Sequence, residues 1–172
     1  IASVIAHEGE EGAEKWLRGV KANLARKPQG NDRAQAKAIY AGQCDVAIGN
    51  TYYMGKMQTN RKKRAQRKWA ASIRLLFPNQ GGRGAHVNIS GAAVVRGARN
   101  RANAVKLIEF LSGDFAQKFY AGRNFEYPVK HGVPLHPLVK SWGDFKADQL
   151  PVEVAGQRQG EAIKLMDRAG YR

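Results

Sequence analysis

Cys44-Asp45-Val46-Ala47-Ile48-Gly49-Asn50-Thr51-Tyr52-Tyr53-Met54 is the stretch on which the reading of the whole chain turns. A small apolar run from Asp45 to Ile48, stopped by Gly49, has the pattern of a short buried strand in a parallel sheet. Asn50 or Thr51 then caps a helix that begins with two adjacent phenols. On a regular strand Tyr52 and Tyr53 would point to opposite faces, whereas at a strand-to-helix turn they converge. Open α/β sheets bind their ligands at that place, beyond the carboxyl ends of the strands.

A free tyrosine has a pKa of about 10, so a phenolate at pH 7 needs strong local positive charge. A hard, highly charged cation supplies that charge and displaces the proton itself. Oxygen donors suit ferric iron, as thiolates suit soft metals. The same two rings also read as packing in a cleft wall or core, the commoner use of aromatic side chains.

Upstream of this stretch lies Arg26-Lys27-Pro28-Gln29-Gly30-Asn31-Asp32, and downstream Gly84-Ala85-His86-Val87-Asn88-Ile89-Ser90-Gly91-Ala92, Phe125-Glu126-Tyr127-Pro128-Val129 and Lys140-Ser141-Trp142-Gly143. Together with Asn50-Thr51-Tyr52-Tyr53-Met54-Gly55, these motifs resemble, in order and over essentially the whole chain, the ferric-iron-binding periplasmic proteins of bacterial ABC transporters. The resemblance implies an α/β chain of the two-lobed, type II periplasmic-binding-protein-like fold. It implies a non-enzymatic, periplasmic component of an iron(III) uptake system that delivers Fe3+ to an inner-membrane permease. By resemblance Tyr52 and Tyr53 are metal ligands. Asn50 and, less directly, Asn31 would hold a synergistic anion such as carbonate or phosphate.

It also implies an arrangement of lobes. Residues 1–80 would belong to the C-terminal lobe that carries the tyrosine pair, residues 81–130 to a crossover strand and helices of the N-terminal lobe, and residues 131–172 to a return segment and C-terminal helix. Chains of that family are longer, and their first half supplies part of one lobe and further ligands. The expectation is a C-terminal portion that needs the missing N-terminal half, or another chain, to complete its fold, or a short relative with an incomplete metal site.

Composition sets bounds of its own. A chain of 172 residues with 43% hydrophobic content can bury an ordinary core. Its net charge of +15 points to an anionic partner, whether nucleic acid, membrane or ligand. Cys44 is the sole cysteine, which excludes an internal disulfide and a thiolate cluster; its setting predicts a buried, inert thiol. No apolar run approaches the roughly 20 residues of a membrane span, and Ile1 to Ala6 is too short and uncharged for a signal peptide.

In chain order, Ser3 to Leu24 reads as helix with a polar break at His7-Glu8-Gly9-Glu10. The acidic cluster Glu8, Glu10, Glu11 and Glu14 reads either as complementing a helix dipole or as a cation site with His7. Arg33 to Ala41 is predicted helical, capped by Asn31 or Asp32 and closed by Gly42. Asn60-Arg61-Lys62-Lys63-Arg64-Ala65-Gln66-Arg67-Lys68-Trp69 is the densest basic run. It reads as an exposed helix start with Trp69, Ile73 and Leu76 turned inward, or as a phosphate contact with Trp69 stacking on a base.

Ile73 to Phe77 and Ala85 to Val95 are predicted strands flanking a Gly-rich turn that lacks the P-loop ending. Ala104, Leu107, Ile108, Leu111, Phe115 and Phe119 form a helical stripe predicted to be core, with Ser112 as the cap of the second helix. Pro128, Pro134 and Pro137 make residues 125–139 irregular, and His131 and His136 are only loosely at ligand spacing. A last helix follows Leu150-Pro151. No nucleophile elbow or His-Glu-x-x-His motif accompanies these elements. The alternative to iron binding is a basic nucleic-acid- or anion-binding module centred on Arg61 to Lys68.

Overall fold

The computed structural model describes residues 1–171. Its helices are α1 (Ala2–Ala22), α2 (Asp32–Tyr40), α3 (Thr51–Gln58), α4 (Arg64–Ala71), α5 (Arg101–Ser112), α6 (Asp114–Asn124), α7 (Pro137–Lys140), α8 (Val152–Gln157) and α9 (Gln159–Arg168). The chain forms two compact units. One comprises Ile1–Gln29, Phe77–Ile89 and Phe145–Arg172, and the other Gly30–Leu76 and Ser90–Asp144. These boundaries differ from the breaks after 80 and 130 that the resemblance implies for a longer, two-lobed chain.

In the first unit, α1 packs against α8 and α9. Ile5, Ala13 and Leu17 of α1 meet Ala162, Leu165 and Ala169 in a buried cluster. Ala13 and Leu17 are four apart, and Ala162 and Leu165 three apart, so each helix turns one apolar stripe to the other. The expected break in α1 is present: Gly9 is non-helical, with φ 72° and ψ 174°. Glu10 and Glu14 lie beyond that break. They form ion pairs with Arg168 at 2.6 and 2.8 Å, Glu14 also pairs with Arg18 at 2.7 Å, and Glu8 pairs with Arg83. Because Gly9 divides α1 into two helical segments, Glu10 and Glu11 stand in the first turn of the second, where the helix dipole favours acid, and the ion pairs add to that.

His7 Nε2 lies 2.7 Å from Asp148 Oδ2 in the same unit. Burial pushes the Asp148 carboxyl up, but hydrogen bonds from His7 and the Leu150 amide outweigh it and hold the group below its ordinary value. Asp148 also continues the one ladder contact described, a parallel bridge between Ala85 and Ala147. There Ala85 N donates to Lys146 O and Asp148 N to Ala85 O, each at 2.8 Å. Gly84, at φ 95°, permits this approach, since a Cβ there would stand 2.6 Å from Lys146 O.

In the second unit, α2, α3 and α4 pack on one another. Ala36, Met54, Met57 and Ala70 form its buried centre, and Trp69, Ile73, Leu75 and Trp142 pack against it. Trp69 and Ile73 thus face inward as the helical spacing predicts. Leu76 does not, being 83% exposed.

Three strand predictions are corrected. Among the described residues no strand forms at Asp45 to Ile48, Ile73 to Phe77 or Ala85 to Val95. Val46 and Ile48 are 76% and 79% exposed. A parallel strand needs neighbours for its hydrogen bonds and cover for both faces, and among the described residues the Ala85–Ala147 bridge is the sole ladder contact these runs make. The α5 and α6 stripe is corrected too. The helices form at the expected places, yet α5 buries no residue, and Leu107, Phe110, Phe115 and Phe119 are exposed. Gly113 rather than Ser112 is the N-cap of α6, while Ser112 Oγ donates to Ile108 O at 2.9 Å. Cys44 is partly exposed rather than buried.

Candidate metal centre

Asp32 fixes the approach to α3. Its carboxylate accepts from the Asn50 backbone N–H at 2.7 Å and from Asn50 Nδ2 at 3.3 Å. Gly49 leaves room for that contact, since a Cβ there would meet Asp32 Oδ1 at 3.2 Å. Asn50 is the N-cap of α3 by its backbone, and its side chain makes no capping bond to the helix. Asn31 caps α2 instead, its side-chain oxygen accepting from the N–H groups of Arg33 and Ala34 at 3.1 and 3.2 Å. One acid and one asparagine therefore lock the starts of two helices together.

Tyr52 and Tyr53 follow in the first turn of α3, where consecutive side chains fan apart by about 100° rather than 180°. Their rings lie 4.2 Å apart between centroids, inclined at 31°. The Tyr52 pKa is pushed up to about 12, first by its hydrogen bond with the Tyr53 hydroxyl, then by burial and the nearby Asp32 and Glu126 charges. The two rings thus lie side by side, and both residues are half-buried. Each ring also has a cation over it: Arg33 Cζ stands 4.7 Å from the Tyr53 centroid and Lys56 Nζ 4.8 Å from that of Tyr52. Arg33 Nε is buried without a hydrogen-bond partner among the described residues.

Phe125 supports α3 from behind. It sits in a left-handed conformation, φ 60°, and is 7% exposed, against Gly55 on one side and edge-on to His136 on the other. A Cβ at Gly55 would lie 2.6 Å from Phe125 Cβ. Gly55→Ala therefore has to displace Phe125. We expect a net loss of about 1–2 kcal/mol, overpacking outweighing the helix-propensity gain of Ala, and a lower Tm. Gly122→Ala, in open space on α6, should leave the melting curve unchanged or raise it, and thermal denaturation of both variants checks the contrast.

The sequence brings Tyr52, Tyr53 and Asn50 into one turn, and Asp32 ties Asn31's helix to it. Sequence reading missed Arg33, Lys56 and the clamping role of Asp32. Lys56 carried a signal, since it stands four residues after Tyr52 in a helix. Arg33 carried none, being twenty residues from the ring it covers. His136 Nδ1 accepts from the Leu138 N–H at 3.1 Å, an N-capping role for α7.

Chemically, the pair offers two hard oxygen donors that are neutral until a cation displaces their protons. Arg33 and Lys56, over the two rings, oppose a second cation nearby.

Residues 2–145 match the family of bacterial extracellular solute-binding proteins. The chain belongs to that family. This solute-binding chain is 45% identical to Iron uptake protein A1 of Synechocystis sp. over 172 residues, which is 100% of the chain and 48% of that protein. A Trichodesmium protein, solved in complex with iron and citrate ligands, superposes with a TM-score of 0.93 at 44% identity, covering 99% of this chain and 54% of that one. The apo ferric ion-binding protein A of Pasteurella haemolytica gives a TM-score of 0.92 at 48% identity over 99% and 52% of the two chains. The chain spans about half the length of these relatives. Its fold class is the periplasmic-binding-protein-like fold of these neighbours, represented here mostly by helices.

Proposed function

We propose that this chain is part of the solute-binding component of an iron(III) uptake system, with Tyr52 and Tyr53 as phenolate ligands to Fe3+ as cargo. The observation that carries the reading is the pairing of two half-buried tyrosines, their ring centroids 4.2 Å apart, in the first turn of α3. The named relatives add weight, because they are iron-uptake and ferric-binding proteins. In this reading the protein works in the periplasm, two lobes close on the ion, and an inner-membrane permease receives it. Groups outside this turn complete the coordination shell. A synergistic anion falls to Asn50 and Asn31, with Arg33 and Lys56 supplying positive charge.

The proton balance gives the test. Each phenol that binds iron gives up one proton, so affinity rises about tenfold per pH unit for every phenol engaged. Tyr52 keeps its proton up to about pH 12 in the free protein, so this dependence extends across the neutral range. Titration with ferric citrate between pH 6 and 8, with proton release followed in parallel, should show both effects and a visible phenolate-to-iron band. Binding without proton release would overturn the assignment.

Folding stability responds to pH in the opposite direction. A folded pKa raised from 10.0 to about 12 means that the Tyr52 hydrogen bond contributes stability fully below pH 10 and loses it as pH rises through 12.

A further inference from the structure

The charge of this chain is distributed unevenly. From residue 46 to residue 108 there are 63 residues without a carboxylate and with 13 Lys and Arg. Segments 30–76 and 90–144, which form the second unit, hold 18 Lys and Arg against six Asp and Glu. Among the described residues that unit contains a single ion pair, Lys130 with Asp114 at 2.6 Å. The other pairs all lie in the first unit.

Six cations concentrate at one place. Arg61, Lys62, Lys63, Arg64, Arg67 and Lys68 occupy the turn before α4 and its first five residues, and all six are exposed. The turn is ordered by Asn60, whose side-chain oxygen accepts from the N–H groups of Lys62 and Lys63 at 3.1 and 3.0 Å. Its amide donates to the buried Gln66 at 2.9 Å, and its carbonyl accepts from Arg67 Nη1 at 3.0 Å. None of the six is in an ion pair among the described residues.

This arrangement opposes folding. Lys63 is the N-cap and Arg64 the first residue of α4, where the helix dipole favours negative charge, and neighbouring cations repel each other. A local rule broken without an internal partner points to an external one.

We propose that Arg61–Lys68 forms a docking face for an anionic lipid bilayer. The exposed side chains form a fixed array of ammonium and guanidinium groups that meets a layer of phosphate headgroups. The run carries no exposed aromatic or aliphatic wedge, because Trp69, half-buried, packs against the core of the unit with Lys37 over its ring. Contact is therefore electrostatic and superficial, without insertion. That same burial removes the stacking platform that single-stranded nucleic acid uses. Membership of an extracellular family sets the chain against membrane surface rather than nucleic acid. The proposal does not depend on iron binding.

The test is flotation of the 172-residue chain with phosphatidylcholine vesicles containing or lacking phosphatidylglycerol, which separates vesicle-bound chain from self-associated chain. Binding should require phosphatidylglycerol and collapse between 50 and 500 mM salt, since each Lys or Arg at such a surface adds roughly fivefold to partitioning. Changing Arg61, Lys62, Arg64 and Lys68 to Gln should reduce binding by more than about a hundredfold. Changing Arg96, Arg99, Arg101 and Lys106 to Gln removes the same charge elsewhere and should cost less than about a tenth of that loss. Helical circular dichroism identifies any variant that fails to fold, and the salt series on the unmodified chain then decides. Equal losses in both variants, no binding to phosphatidylglycerol at 50 mM salt, or tighter binding to duplex DNA at matched phosphate would each overturn the proposal.

Discussion

Replacing Tyr52 and Tyr53 together by Phe should abolish ferric-ion uptake while leaving the fold in place. Loss of an outer-shell partner of a metal site typically costs 10- to 100-fold in affinity, and here two ligands themselves disappear, so a fall of more than about a thousandfold is expected. The visible phenolate band should vanish with it. Phe keeps both rings, so the stacking at 4.2 Å and the Arg33 and Lys56 contacts survive, and helicity should match the parent. Tyr52→Phe alone removes the Tyr52 proton and its hydrogen bond and leaves one phenol. It should retain a weaker band and release one proton fewer. Ferric citrate titration read in the visible range checks all three proteins.

The second large effect concerns the chain in solution. Val46, Ile48, Leu76 and Val95 are each more than three-quarters exposed, and Leu107, Phe110, Phe115 and Phe119 are each more than half exposed. Burying one such side chain contributes about 1.5–3 kcal/mol, and soluble monomers seldom display so much apolar surface. Runs 45–48 and 89–94, which form no ladder among the described residues, add backbone groups that template association. The 172-residue chain alone should therefore bind a hydrophobic dye strongly and associate at micromolar concentration. Its thermal unfolding should be broad. Monodisperse behaviour in sedimentation velocity, with a sharp two-state melt, would show that these surfaces are covered in a way the fold description lacks.

The helices were largely legible in the sequence because their signals are local. Asn31 capping α2, the break at Gly9 and the inward Trp69 follow from spacing and cap chemistry within a few residues. The strands were misread for the opposite reason. Val46 and Ile48 carry the composition of a covered strand, but a strand is made by its neighbours, and composition cannot say whether they lie within the chain. The α5 stripe failed in the same way, since periodicity marks a face that wants cover without naming what covers it.

At the candidate site, adjacency in the sequence marks Tyr52 and Tyr53 as a pair, and their rings lie together at the start of α3 although the expected strand before it is absent. Arg33 was invisible because its ring contact depends on how α2 and α3 pack, which no local pattern encodes. Asp32 was legible only as a possible cap. Its grip on Asn50, eighteen residues away, came from the fold.

The most direct measurement is anomalous diffraction at the iron edge from crystals grown with ferric citrate. The account predicts a single strong peak within bonding distance of both the Tyr52 and Tyr53 hydroxyl oxygens. A peak elsewhere, or the two phenols still hydrogen-bonded to each other in the presence of saturating iron, would contradict it.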